Sequence, residues 1–254
     1  MASISTYVRD YGNKTFFEEP FNEIDNVVFS SLIYLNYEGI VPENRKYIRL
    51  EEAGIKYLEK YSYFEISKLG IAQKVSYQLL KQVVNTVRYK DVLMYNFKYI
   101  ADSDRQFGAV CFKVKKNFTY VAFEGTDNLL SGWKEDFELS YKFPVPAQTL
   151  AIEYINKRVR FYDKNVMVGG HSKGGNLALV SSMFAKKLVN KKIKKIYSND
   201  GPGLRKAEIE SDNYKRVRDR LIHIVPNYSY IGVLLRNDKF KVIKGGMKFG
   251  IDMA

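Results

Sequence analysis

The chemistry of this chain starts at Ser172, the centre of the stretch Asn165–Val180 (NVMVGGHSKGGNLALV). A serine hydroxyl is a weak nucleophile and must stand clear of the backbone, where a base can take its proton. Gly170 and Gly174 flank it at a spacing that leaves room for a strained turn, which side chains would block. Val166, Met167 and Val168 form a short apolar run, expected to be a buried strand. Asn176–Leu188 (NLALVSSMFAKKL) carries apolar residues at three- and four-residue steps, the period of a helix. Strand, tight turn and helix would set Ser172 at a helix N-terminus, whose free N–H groups suit a developing oxyanion. The competing reading is an ordinary serine in a glycine-rich strand-to-helix loop. A phosphate-binding loop fails, because Asn176 stands where that loop needs lysine after the Gly170–Gly175 spacing. The glycine pattern does not fit a dinucleotide fingerprint either.

Metal and cofactor chemistry find little support. His171, His223 and Cys111 are too few for a zinc site of the usual kind, and no loop has calcium or magnesium spacing. No metal and no cofactor are expected.

The elements that must position Ser172 fall into two regions. Residues 1–90 read as mainly helical. Phe21–Tyr37, Arg49–Tyr61 and Ser76–Tyr89 carry apolar stripes at helical spacing, expected to be core. Gly39 and Pro42 punctuate the first connection. Residues 91–254 switch to strands. Val92–Ile100, Phe107–Lys115 and Phe118–Gly125 are rich in β-branched and aromatic residues, and the two-residue link Lys116-Asn117 predicts a hairpin. After Pro144 and Pro146 comes a helix from about Ala147 to Arg160. From Asn165 onward strands alternate with helices: the turn around Ser172, then KKIYSND, an excursion through Asp212–Arg220, RLIHIVP and KFKVIKG. That alternation predicts a parallel sheet with right-handed crossovers, an α/β fold with helices on both faces.

The chain has 254 residues, 46% of them hydrophobic and 15% aromatic, enough for a sizeable core. No apolar run approaches the length of a membrane span. The N-terminus lacks the apolar stretch of a signal peptide, and a lone cysteine excludes an internal disulfide framework. A cytoplasmic location is the expectation. The net charge is +13, with its densest cluster at Lys186, Lys187, Lys191, Lys192, Lys194 and Lys195. These cations suit a solvated helix end; the other reading is peripheral contact of Lys186–Lys195 with an anionic membrane. Charge alone, without a motif, gives no reason to expect nucleic-acid binding.

The order strand, FEGTD, Gly-x-Ser-x-Gly supports a family comparison. GHSKGG resembles the nucleophile elbow of α/β-hydrolases, and VAFEGTDNLLSGWKEDFELSY resembles the oxyanion segment of class 3 lipases. NDGPG (Asn199–Gly203) and the N-terminal FNEIDNVVFSSLIYLNYEGIV look like a bacterial lipase-like branch of that group. The resemblance covers nearly the whole chain and implies an α/β-hydrolase core over residues 91–254, with the helical region 1–90 packed on it. It implies a serine hydrolase cleaving small esters or lipids through an acyl-enzyme on Ser172. The backbone N–H groups of Thr126 and Lys173 would hold the oxyanion, and Asp200 would be the triad acid, although Asp200 also suits a simple turn in Asn-Asp-Gly-Pro-Gly. Asp127 and Asp136 are expected to be loop or helix-start acids, and Trp133 a packing residue. Glu124 departs from the pattern, since the lipases usually carry arginine there.

The triad order in such a fold is serine, acid, histidine. His171 directly precedes the nucleophile, so its side chain is expected to point away from Ser172. The only downstream histidine is His223, inside a strand, whereas the base normally sits in a loop after the final strand. Within residues 91–254 the core therefore reads as shortened at its C-terminal end. Three readings stay open: a member lacking its catalytic loop, a hydrolase using His223 or an unusual base, and a catalytically impaired fold serving as a binding or interaction scaffold.

Overall fold

The computed structural model describes residues 3–102, 105–126, 138–139 and 141–243. Trp133, Asp127 and Asp136 lie outside the described residues. In chain order the elements are α1 (Ile4–Tyr11), α2 (Glu23–Leu32), β1 (Ile48–Arg49), α3 (Leu50–Lys60), α4 (Tyr63–Ser67), α5 (Ile71–Val83), β2 (Leu93–Ala101), β3 (Gln106–Lys115) and β4 (Phe118–Phe123). Then come α6 (Pro146–Arg158), β5 (Asn165–His171), α7 (Lys173–Met183), α8 (Lys187–Asn190), β6 (Ile193–Asn199), α9 (Lys206–Ile209), α10 (Asp212–Lys215), β7 (Leu221–Pro226) and β8 (Lys241–Ile243).

Among the described residues, all eight strands join one sheet in chain order. β1 to β4 are antiparallel neighbours; β4 to β8 run parallel. The expected meander is therefore β2–β4, and the parallel half begins where β4 meets β5, pairing Phe123 with Gly170. This is an α/β-hydrolase fold: a mostly parallel mixed sheet with helices on both faces and a serine turn at the carboxyl end of a central strand.

Both faces of the sheet are covered, as parallel sheets require. Alternation along β4 sends Tyr120 and Ala122 to the face packed by α2 and α5, and Val121 and Phe123 to the face packed by α6 and α7. The first face is aromatic. Phe29 stacks on Phe112 with ring centres 4.6 Å apart, and Phe21 meets Phe118 edge-on at 5.0 Å. α2 is fixed at its start by Asn22, whose side chain accepts from Ile24 and Asp25 N–H while Asp25 bonds back to Asn22 N–H. Asp25 also pairs with Arg88, both side chains being fully buried. On the second face α7 is buried along its whole length, its polar residues Lys173, Asn176, Ser181 and Ser182 included.

Some local boundaries differ from the sequence expectation. α7 starts at Lys173, not Asn176, because its first turn is built from the glycines themselves. It stops at Met183, where Phe184 leaves helical geometry, and Lys187–Asn190 forms a separate short helix. β1 has only two residues, too few for periodicity to register.

Candidate active site

Ser172 sits between the last residue of β5 and the first of α7, with φ 54° and ψ −129°. An L-residue is strained in that conformation. The surroundings hold it there. Its N–H donates to Asn199 O at 2.9 Å, and its carbonyl accepts from Gly175 N at 2.9 Å. A Cβ on Gly170 would strike the backbone of Gly174 and the carbonyl of Phe123, and one on Gly174 would strike Phe123 and Glu124. Strand β5, the end of β4 and the start of α7 therefore meet without side chains between them. Ser172 is half-buried, and among the described residues its hydroxyl has no hydrogen-bond partner.

The segment after β4 runs past this turn. A Cβ on Gly125 would lie 2.5 Å from His171 O and would collide with Tyr34 Oη, so the backbone of Gly125 lies against the end of β5. Thr126 follows, half-buried. Lys173 sends its side chain inward, where it is almost wholly buried; its Nζ donates to Gln106 O at 3.1 Å and to Gln106 Oε1 at 2.8 Å. Gln106 Nε2 donates in turn to Gly125 O at 3.2 Å. Gln106 thus ties the residue after Ser172 to the segment expected to complete the oxyanion hole. Sequence reasoning missed it: a glutamine opening a strand carries no signal until its partners, distant in the chain, are known.

A second polar cluster lies beneath the turn. Asn199 Nδ2 donates to Gly170 O, Ser30 Oγ and Asn26 Oδ1, each at 3.1 Å, and Asn26 Nδ2 donates to Asn199 Oδ1 at 2.7 Å. Tyr120 Oη donates to Asn26 Oδ1 at 2.6 Å. These satisfied buried groups fasten α2 to β5 and β6 just below Ser172. His171 turns toward the segment after α2, its Nδ1 2.9 Å from Tyr34 Oη.

Asp200 follows β6, the strand beside β5, and His223 lies on β7, one strand further along the sheet. Asp200 follows β6 at φ 53°, and its N–H donates to Ile224 O. Its carboxylate accepts from Gly232 N at 3.0 Å and from Ser229 Oγ, binding the turn after β7. Burial pushes its pKa up, opposed by those two hydrogen bonds. His223 pairs with Ser198 across β6 and β7, level with Gly170 and two residues short of the Ser172 position. It is buried, with Phe240 edge-on at 6.3 Å. Burial holds its imidazole below the ordinary range, opposed by polar contacts to the Gly201 carbonyl and the Asn237 side chain. No hydrogen bond among the described residues joins Ser172, Asp200 and His223 to one another. Among the same residues, no group of three His, Cys, Asp or Glu side chains could hold a metal ion.

The sequence matches the family described as Mbeg1-like over residues 83–251. The chain belongs to the Mbeg1-like family. No curated protein matches it. Among solved structures, this Mbeg1-like chain is similar to M37 lipase, with 14% identity and a TM-score of 0.45 over 84% of this chain and 69% of the other. It is also similar to a fungal lipase in an inhibitor complex, with 13% identity and a TM-score of 0.38 over 58% of this chain and 59% of the other. Among the described residues no helix is long and apolar enough to cross a membrane.

Proposed function

We propose that this Mbeg1-like protein is a serine hydrolase that cleaves carboxylic esters through an acyl-enzyme on Ser172. The observation that carries this reading is the backbone of Ser172, φ 54° and ψ −129° at the junction of β5 and α7. A serine without a chemical role gains nothing from a conformation that costs on the order of 1–3 kcal/mol. In the proposed reaction Ser172 Oγ attacks the ester carbonyl carbon and gives up its proton to a base. The carbonyl oxygen becomes an oxyanion held by Lys173 N–H at the start of α7 and by Thr126 N–H. Collapse expels the alcohol, and water then releases the acid. Asp200 and His223 are the proposed acid and base. In that role His223 would need a rearrangement of the segment after β7, because its ring now faces Phe240 and Asn237.

A second reading is a catalytically impaired fold that serves as a binding scaffold. It is favoured by the commitment of the Asp200 carboxylate to Ser229 and Gly232. A fluorophosphonate probe separates the two, because labelling reports an activated serine. The ester-hydrolase reading expects stoichiometric labelling that disappears in Ser172→Ala and falls steeply in His223→Ala with an unchanged circular-dichroism spectrum. Labelling that survives His223→Ala would assign the base elsewhere. Absence of labelling in the wild-type chain at probe concentrations that saturate a known esterase would leave the scaffold reading.

A further inference from the structure

The end of the sheet opposite Ser172 carries a surface that ester hydrolysis does not use. The turn before β4, the loop before β5 and the segment before β6 all meet there, because these three strands run parallel. From Tyr154 to Asn199 the only carboxylate is Asp163, and Arg45 pairs with it at 2.7 Å. Lys157, Arg160, Lys164, Lys187, Lys191 and Lys194 are exposed on this rim and have no ion pair among the described residues. Three large apolar side chains stand out of the same rim: Phe161 at 87% exposure, Phe17 at 85% and Leu188 at 74%.

These groups are held together. Lys192 Nζ donates to Phe161 O at 2.7 Å and to Asp163 O at 2.8 Å, tying the loop before β5 to the segment before β6. Lys115 lies 4.3 Å over the Phe17 ring and donates to Phe16 O at 2.6 Å, which brings Phe17 to the turn before β4. A solvated helix end accounts for the lysines but not for three apolar side chains left in water beside them. Nucleic acid would use the cations and the rings, but it has no use for a protruding leucine.

We propose that this rim docks on an anionic lipid bilayer, with the lysines at headgroup level and Phe17, Phe161 and Leu188 in the interface. β5 has seven residues, so Ser172, at its far end, lies roughly 23 Å from the docked rim. Docking and ester hydrolysis are then separable, and a hydrolase so placed takes its ester from the aqueous side.

The test is co-sedimentation of the full chain with phosphatidylcholine vesicles, with and without about 30 mol% phosphatidylserine. Binding is expected only with phosphatidylserine, and it should fall as salt shortens the screening length. Lys187→Gln/Lys191→Gln/Lys194→Gln should weaken it by about a hundredfold, from about fivefold per lost cation. Phe161→Ala/Leu188→Ala should weaken it by at least tenfold while leaving the salt dependence in place. All five positions are exposed, so folding is preserved and circular dichroism will report it. Ser172→Ala should bind as the wild type does, whatever the labelling experiment finds. Equal binding to neutral vesicles, no binding to anionic ones, or binding to single-stranded nucleic acid alone would each overturn the proposal.

Discussion

Replacing Ser172 with glycine should stabilise the protein while removing the proposed nucleophile. At φ 54° and ψ −129° the Cβ of Ser172 is the source of the strain, and glycine is at ease there. Relief returns part of roughly 1–3 kcal/mol. Against it stands the larger freedom of glycine in the unfolded chain, about 0.5–1 kcal/mol. The hydroxyl adds little to the balance, because it has no hydrogen-bond partner among the described residues. The net gain is about 1 kcal/mol relative to Ser172→Ala, which keeps the Cβ. For a chain of 254 residues the unfolding entropy is about 0.5 kcal/mol/K, so Tm should rise by about 2 °C. Calorimetry of wild type, Ser172→Gly and Ser172→Ala under one set of conditions checks this. At an ordinary position alanine is the more stable of the two, so the sign of the difference is diagnostic. A Ser172→Gly protein that melts at or below Ser172→Ala would refute the claim that the fold holds this residue under strain.

Two further outcomes follow from the surroundings of the turn. Gln106→Leu removes one acceptor from the buried Lys173 ammonium and the donor to Gly125 O, so it should cost about 1–3 kcal/mol in urea unfolding. It should also slow fluorophosphonate labelling beyond what the stability loss explains, since Gly125 would no longer be tied to Lys173. His223 is held below its usual 6.5 chiefly by burial. As pH falls through that value the unfolded chain takes up a proton that the folded one refuses, so stability is full above it and is lost toward the lower folded pKa. The urea midpoint should therefore drop less between about pH 7.5 and pH 5.5 in His223→Gln than in wild type; equal drops would show that His223 does not titrate as argued.

The parts of this protein whose signal is local are legible in its residues alone. An apolar run, two glycines around Ser172 and a helical period place a strand–turn–helix, and two β-branched and aromatic runs joined by Lys116-Asn117 place the hairpin of β3 and β4. These depend on steric rules that operate within a few residues. The α/β class followed from the same local rules, because alternating strands and helices leave few ways to cover a parallel sheet. What depends on register between distant segments emerges only once the chain has folded. Gln106 reaches Lys173 only because β3 pairs with β4 and β4 with β5, and Asn26 reaches Asn199 only because α2 lies across β5 and β6. In Asn-Asp-Gly-Pro-Gly, Asp200 reads as the triad acid or as a turn-former; the fold directs its carboxylate to Ser229 and Gly232. The side chain of a strand residue is committed to one face by pleat and register, so His223 came to lie beside Phe240 and Asn237 for a reason that no single segment contains.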